Sequence, residues 1–318
     1  MARKSSFESS AYGGEGWSPR SRTHGEEIGT LWSACGQDSE WASLKAVMLH
    51  CPGDELAQSS DPQSVQMLEP LNLDLARTQH DLIRQAYDGA GVTVHDVAPD
   101  DPATPNQMFC ADLLFATPDG VILARPASTV RAGEERQVAR RLSVLGIPIV
   151  ATLTGTATFE GADAMWLGPK SVIIGRGLRT NTEGAEQVAA ILERTGVASI
   201  IVDMPYGTMH LMGMMRIADQ NLAIAWPRRT PHAAVMALRD RGYEVAFLPD
   251  QEEADTNRAM NFVTLGPRKI LMVGGNPASQ SFYEGLEIEC IATPADELAK
   301  AAGAVGCLTG VLERDRVA

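Results

Sequence analysis

The sequence of 318 residues contains no apolar run long enough to span a bilayer as a helix. Its basic N-terminal residues are not followed by the apolar core of a secretory signal. The five cysteines include no C-x-x-C pair, and no ligand spacing typical of a zinc site is present. We therefore expect a protein of the reducing cytoplasm, without a membrane segment and without a metal site.

Basic residues are scarce relative to acidic ones. The chain has 27 Lys and Arg against 40 Asp and Glu, which gives a formal net charge of −13. Nucleic acids and anionic membranes are bound through clustered Lys and Arg, so we expect neither as a partner. An acidic protein suits a cationic small molecule, although acidity often serves solubility alone.

A repeated unit organises the middle of the chain. In each copy, two apolar strands flank a turn of Gly, Pro, Asp or Asn, and a helical span and a short apolar strand follow. A unit at residues 44–97 brings the number of copies to five. The paired strands of the other copies begin near Phe109, Phe159, His210 and Asn261, and the helices are predicted over 134–145, 182–195, 231–241 and 277–285.

Such units specify a fold class. Connections from strand to helix to parallel strand are right-handed and place the helices outside. Five units in a ring form an α/β propeller, in which the first residues of each unit face a central channel. The alternative is an open α/β sheet, and the matching turns at 168–170 and 266–268 favour the ring. We predict a mobile arm over residues 1–28 and a single α/β propeller domain over residues 29–318.

Side chains suited to cysteine chemistry stand at matching places in these units. Asp112, Glu160 and His210 each lie near the start of a unit, and Cys307 follows the last helix in a run of small residues. A thiolate beside a cation attacks electrophilic carbon well, and acids can orient a histidine or bind a cation. The alternatives are a small buried cysteine and a core histidine. We predict that the four residues form one site.

Two arginines follow the acids at equal spacing. Arg131 comes nineteen residues after Asp112, and Arg179 nineteen residues after Glu160, each just past the second strand of its unit. Arginine binds carboxylates bidentately, so these side chains could hold a substrate carboxylate. The alternative is a pair of solvated surface arginines.

Together, the motifs resemble those of the guanidino-group-modifying superfamily, which includes arginine deiminases, dimethylarginine dimethylaminohydrolases and amidinotransferases. The resemblance covers about residues 40 to 314 and implies the five-bladed pentein fold and cofactor-free chemistry on a cationic guanidino compound. The motifs that carry it are Phe109-Cys110-Ala111-Asp112, Phe159-Glu160-Gly161-Ala162-Asp163, Gly177-Leu178-Arg179-Thr180-Asn181, His210-Leu211 and Gly306-Cys307.

The resemblance also implies roles for individual residues. Cys307 would attack the guanidinium carbon and form a thiouronium intermediate. His210 would protonate the leaving nitrogen and then activate water, with Glu160 completing the catalytic set. The residues that the resemblance assigns to substrate binding are Asp112, Arg131, Arg179, Asp163 and Phe109.

Two departures from the superfamily pattern bear on the substrate. Met212 stands where arginine deiminases and amidinotransferases usually carry an Asp, which dimethylarginine hydrolases also lack. Asp112 replaces the Asn of relatives that convert arginine to ornithine. Both favour a hydrolase of a methylated arginine. The alternatives are an amidinotransferase and a non-catalytic binding protein of the same fold, and a homodimer is the default expectation for assembly.

Overall fold

Short apolar segments bounded by Gly, Pro, Asp and Asn form the strands, and segments with helical apolar spacing form the helices. The computed structural model describes residues 6–57 and 61–317. The strands are β1 Leu44–Leu49, β2 Thr93–Asp96, β3 Leu114–Thr117, β4 Gly120–Leu123, β5 Ile149–Thr152, β6 Ala164–Gly168, β7 Ser171–Arg176, β8 Ala198–Asp203, β9 Met215–Asp219, β10 Leu222–Ala225, β11 Glu244–Phe247, β12 Val263–Gly266, β13 Lys269–Val273, β14 Glu289–Thr293 and β15 Gly310–Arg314. The α-helices are α1 His24–Glu27, α2 Leu73–Gly89, α3 Glu134–Leu145, α4 Thr182–Glu193, α5 His232–Arg239, α6 Gln251–Asp255, α7 Pro277–Gly285, α8 Asp296–Ala299 and α9 Val305–Leu308.

The strands of the described residues form five sheets of three strands each. In four of them, here called blades 2 to 5, an antiparallel hairpin is extended by a third strand parallel to its second strand. A helix (α3, α4, α5 or α7) connects the second strand of each blade to the third. Blade 2 is β3-β4-β5, blade 3 is β6-β7-β8, blade 4 is β9-β10-β11 and blade 5 is β12-β13-β14.

The blades contact one another in a closed ring. Blade 2 meets blade 3, blade 3 meets blade 4 and blade 4 meets blade 5 through their first strands and the turns before them. β1 contacts β12 and β15 contacts β3, so the remaining sheet, blade 1, fills the gap between blades 5 and 2. The predicted five-bladed α/β propeller is confirmed.

Blade 1 differs from the prediction. The sequence places a complete hairpin within residues 44–97, but β1 forms its antiparallel pair with β15, from the other end of the chain. Met48 lies opposite Gly310 and Val47 opposite Val311. The third strand, β2, is parallel to β1 as expected. The prediction was wrong because local patterning does not report which distant strand completes a sheet.

The starts of the units also differ from the prediction. The residues before β3, β6 and β9 form short 3₁₀ turns, Cys110–Asp112, Gly161–Asp163 and Leu211–Gly213, in place of strand. The crowding of chains at the ring centre explains this. A Cβ atom at Gly161 would lie 2.1 Å from the carbonyl oxygen of Leu114, so only glycine fits there.

The helices predicted over 134–145 and 277–285 have those bounds in the structure, and the other two are shortened at their ends. The short apolar strand expected after α3 begins only at Ile149, because Pro148 before it has no N–H for the ladder. At the N-terminus, Glu27 of α1 is buried and pairs with Arg20. The division into an arm of residues 1–28 and a domain of residues 29–318 stays a prediction, and residues 1–5, 58–60 and 318 lie outside the described part. No helix within the described ranges combines the length and apolar character that crossing a bilayer would require.

Candidate active site

Three turns bring an imidazole and two carboxylates together at the ring centre. Nε2 of His210 lies 2.6 Å from Oε2 of Glu160 and 3.7 Å from Oδ1 of Asp112. Glu160 and His210 each stand directly before a 3₁₀ turn, and Asp112 ends the equivalent turn of blade 2. All three side chains are buried. The predicted convergence of unit starts therefore produces a hydrogen-bonded cluster.

The electrostatics of this cluster favour a charged imidazole. Burial lowers the pKa of His210, but the carboxylates of Asp112 and Glu160 outweigh burial and raise the pKa to about 10. Burial alone would raise the pKa of Glu160, yet the hydrogen bond and charge of His210 hold that pKa at about 2. At neutral pH the pair is therefore an imidazolium and a carboxylate, so His210 carries a proton that it can donate.

Arg131 forms ion pairs with the two carboxylates of this cluster and with a third carboxylate. Its Nη1 lies 2.6 Å from Oδ2 of Asp112 and 3.4 Å from Oε2 of Glu160, and its Nη2 lies 2.8 Å from Oε2 of Glu134. Arg131 is only 2% exposed. Burial lowers its pKa, but the neighbouring carboxylates outweigh burial and raise it. Its nitrogens are thus engaged by three carboxylates of the protein.

Arg179 stays closer to open space. Its side chain is 11% exposed, and its Nη1 lies 3.4 Å from Oε1 of Glu160. Arg179 and Arg131 both line a narrow cavity beside Cys307. Of the two predicted carboxylate-binding arginines, Arg179 is the one with the looser contacts to the protein.

Asp163 and Phe109 occupy different positions relative to the cavities. Oδ1 of Asp163 accepts the N–H of Leu211 at 3.0 Å and Oδ2 accepts the hydroxyl of Thr180 at 2.7 Å. Burial raises the pKa of Asp163 to about 6. Asp163 therefore ties blade 3 to blade 4, whereas the ring of Phe109 lines the narrow cavity, 5.9 Å from the Arg131 guanidinium.

Cys307 lies in α9, a single turn that the small residues before it leave room for. Its sulfur is fixed by the side chain of Asn261. Oδ1 of Asn261 accepts the N–H of Gly306 at 2.7 Å and that of Cys307 at 3.1 Å. Because the oxygen faces two donors, the amide nitrogen must face the sulfur, and Nδ2 lies 3.0 Å from Sγ of Cys307. Asn261 thus supplies a donor to this sulfur.

Asn261 and Glu134 are site residues that sequence reasoning missed. Asn261 precedes the first strand of blade 5, the place that Asp112, Glu160 and His210 take in blades 2 to 4. This equivalence within the repeat is a signal that could have found it. Glu134 begins α3, and burial raises its pKa to about 7; its spacing from Arg131 carries no comparable signal.

Two cavities meet at His210 and Cys307. The narrower one, of about 20 Å³, is lined by Asp112, Arg131, Arg179 and Phe109 among others. The wider one, of about 220 Å³, has a largely apolar wall of methionines and one tryptophan. That wall includes Met209, Met212, Met214, Trp226 and Met260. A molecule bound where the cavities meet would lie beside the sulfur of Cys307 and the imidazole of His210, with the carboxylate of Asp112 in the narrower cavity.

The same three groups of the cluster could hold a metal ion. The ligand atoms of Asp112, Glu160 and His210 lie within 4.8 Å of one another. A metal would have to displace the imidazole proton and compete with the Arg131 guanidinium. An organic cation with its own N–H donors fits the acceptors without that displacement.

The hydrogen bonds of Asn261 to Gly306 and Cys307, here called the Asn261 clamp, lead to a stability prediction. Replacing Asn261 by Leu leaves the buried N–H groups of Gly306 and Cys307 without an acceptor, so we expect a loss of about 1–3 kcal/mol in the free energy of unfolding. Urea denaturation measures this, and Asn257→Leu, at an exposed position, is the control. Equal losses in both variants would show that the clamp contributes nothing.

Comparison with known proteins identifies related chains. The family model described as arginine deiminase matches residues 55–246. The N(G),N(G)-dimethylarginine dimethylaminohydrolase of Pseudomonas aeruginosa is 26% identical over 235 residues, which cover 74% of this chain and 87% of that protein.

Solved structures share the fold. A DDAH from Pseudomonas aeruginosa, complexed with citrulline, superposes with a TM-score of 0.72 at 22% identity and covers 85% of this chain and 100% of its own. SxtG, an amidinotransferase from Microseira wollei, superposes with a TM-score of 0.70 at 14% identity and covers 88% of this chain and 97% of its own. A hydrolase and a transferase therefore both have this architecture.

Proposed function

The chain belongs to the arginine deiminase family, and on that premise we propose that it is a hydrolase that cleaves a C–N bond of a guanidino compound. The observation that carries the proposal is the buried His210 imidazolium, paired with Glu160, at the junction of two cavities that also reach Cys307. The 26% identical relative, a dimethylarginine dimethylaminohydrolase, supports the reaction class.

Binding begins with the acids. We assign Asp112 and Glu160 to the guanidinium nitrogens, because carboxylates buried away from water attract a cation strongly. Holding negative charge near these nitrogens also orients the central carbon toward the sulfur of Cys307. We assign Arg179, which lines the narrow cavity, to a substrate carboxylate.

The first covalent step uses the sulfur of Cys307. The thiolate attacks the guanidinium carbon, a C–S bond forms, and the electron pair of the C=N bond moves to nitrogen. His210 gives its proton to the leaving nitrogen, the C–N bond breaks, and a neutral amine departs. A thiouronium cation remains on the enzyme, and the imidazole is now neutral and can act as a base.

Water completes the reaction. The neutral imidazole of His210 takes a proton from water as its oxygen attacks the thiouronium carbon. The C–S bond then breaks, the hydroxyl proton passes to solvent, and a ureido product leaves. The thiolate and the imidazolium are restored, so the cycle needs no cofactor.

We propose a methylated arginine as the substrate. Met212 occupies the place of the Asp that arginine deiminases usually carry, and it lines the wider cavity together with Met209 and Met214. A methylated leaving nitrogen gains free energy from an apolar surface, whereas ammonia does not. This contrast favours release of an alkylamine.

An amidinotransferase is the second candidate. The structural likeness to SxtG supports it through the fold alone. The chemistry would differ only in the second step, in which an amine in place of water attacks the thiouronium carbon. Met212 stands against this candidate, since amidinotransferases usually carry an Asp there.

We further propose a cytoplasmic protein that acts on a small cationic molecule, without nucleic acid or membrane as a partner, and that assembles as a homodimer. The spacing of the five cysteines, each of which is free in the described residues, supports a reducing compartment.

A guanidino panel tests the proposed function. The compounds are arginine, monomethylarginine, dimethylarginine, agmatine and simple guanidino acids, with the ureido product and the released amine both identified. We expect an alkylamine and citrulline from a methylated arginine. A new amidino compound formed only when an acceptor amine is added would favour the transferase, and no turnover of any compound would contradict both candidates.

A further inference from the structure

A buried arginine lies directly beneath the turn that carries Cys307. Arg216, on β9, is 8% exposed. A Cβ atom at Gly306 would lie 1.9 Å from its Nη2 and 3.1 Å from its Cζ. Because Gly306 has no side chain, the Arg216 guanidinium can lie against the backbone next to Cys307.

This guanidinium has few partners. Its Nε donates to the carbonyl oxygen of Met260 at 3.4 Å, and its Cζ lies 5.8 Å from the centroid of the Phe262 ring. Nη2 has no hydrogen-bond partner, and no carboxylate of the described residues forms an ion pair with Arg216. A buried cation without a counter-ion is costly, so an anion nearby is expected.

The charges around the cavity under the site do not balance. Arg216 and Arg314 both line that cavity, and Glu40 is the acid that lines it with them. The Glu40 carboxylate also accepts the N–H of Trp166 at 2.9 Å. Burial lowers the pKa of Arg216 to about 10, while Cys307 and Glu40 act in the opposite direction. The two arginines and one acid that line this cavity therefore leave one positive charge without an opposite charge.

The positive charge of the His210 imidazolium, in contrast, is balanced by neighbouring carboxylates. Its charge is matched by Glu160 at 2.6 Å and by Asp112 at 3.7 Å. Among the cations close to Cys307, Arg216 and Arg258 form no ion pair with a carboxylate of the described residues. Arg258 lines the wider cavity, whereas Arg216 is buried against the backbone of Gly306. The side chain of Cys307 is the nearby group that can supply a negative charge.

We propose that Arg216 is the counter-ion of the Cys307 thiolate. It is a positioning residue, because it lies behind the backbone of Gly306 and lines neither of the two cavities that meet at Cys307. Its charge favours the ionised sulfur before a substrate arrives, and Asn261 adds a hydrogen-bond donor from the other side. The inference rests on the proposed nucleophile, but its test does not depend on turnover.

Other charged groups also face Cys307 and stay unchanged in the test. Those that share a cavity wall with it are His210, Asp112, Arg131, Arg179, Arg229, Asp255 and Arg258.

The experiment follows alkylation of Cys307 by iodoacetamide across a pH series, with the modified peptide quantified by mass spectrometry. In Arg216→Met we expect the midpoint of the profile to move up by about one to three pH units, and alkylation at neutral pH to slow by at least roughly tenfold. Arg216→Lys, which keeps the charge, is expected to recover most of the shift. Arg314→Met, at another buried arginine of the same cavity, is the control and is expected to show a smaller shift.

A profile of folded Arg216→Met that superimposes on that of the unaltered protein overturns the proposal. Thermal unfolding reports whether the variant is folded. If it is not, Arg216→Gln and Arg216→Lys are compared, since both remove the guanidinium but differ in charge, and equal profiles again overturn the proposal. Because the reagent needs no substrate, silence in the guanidino panel leaves this result interpretable.

Discussion

Cys307→Ser should lower kcat by about 10,000-fold or more, while the unfolding temperature stays close to that of the unaltered protein. Serine needs a base to become a nucleophile at neutral pH. The nearby imidazole cannot serve, because Asp112 and Glu160 raise the pKa of His210 to about 10 and keep it protonated. The serine hydroxyl therefore finds no neutral imidazole beside it to remove its proton.

Turnover of the best compound of the panel measures this effect. Cys51→Ser is the matched control, since Cys51 is a partly exposed thiol that lines neither cavity at the site. The control should keep kcat within about twofold, as expected for a change away from the site. A kcat of Cys307→Ser within tenfold of the unaltered protein would end the assignment of Cys307 as nucleophile.

His210→Gln should lower kcat by about 100- to 10,000-fold, because both proton transfers lose their carrier. Glutamine can keep a hydrogen bond to Glu160 but gives no proton to a leaving amine. In the unaltered enzyme, kcat should fall as the pH rises through about 10, since the raised pKa of His210 keeps the acid present only below that value.

This prediction is tested by measuring kcat over a series of pH values and the intact mass of the protein after it is mixed with substrate. The variant should lose the alkaline limb of the profile that belongs to His210. His232→Gln, at the exposed start of α5, is the control and should keep both rate and profile. If His210→Gln kept the same alkaline limb, the proton donor would have to be another group.

The fold could be predicted from the sequence because local residue patterns recur in each unit of the repeat. Glycine and proline turns, alternating apolar residues and helical spacing fall at the same places in each unit, so bounds such as Glu134–Leu145 were predicted without knowledge of contacts. The pairing of β1 with β15 was not predicted, because the local pattern of a strand does not indicate which distant strand it pairs with.

The site was predictable to the extent that it uses equivalent positions. Asp112, Glu160 and His210 met as expected because the ring brings unit starts together. Arg131 was expected to face a ligand, yet its nitrogens lie against three carboxylates, one of them Glu134. Such choices depend on which side chains share a buried volume, and that is decided only after the blades pack.

Arg216 illustrates the same limit. In the sequence it is an ordinary strand residue after a run of methionines, and its neighbour Gly306 lies far along the chain. The contact between them arises from the packing of blade 4 against the turn of α9. A glycine that makes room for a distant guanidinium has no signature in local patterning.

The strand that completes blade 1 has a consequence for synthesis on the ribosome. Domains fold progressively as the nascent chain emerges, so blades 2 to 5 can form while β15 is still in the exit tunnel. Cys307 lies just before β15, and Gly310 pairs with Met48 near the other end. The pairing joins segments nearly the whole chain apart, which makes it late and slow. Translation therefore delivers Cys307 only after the residues of blades 2 to 5, and the proposed nucleophile is absent while those blades form.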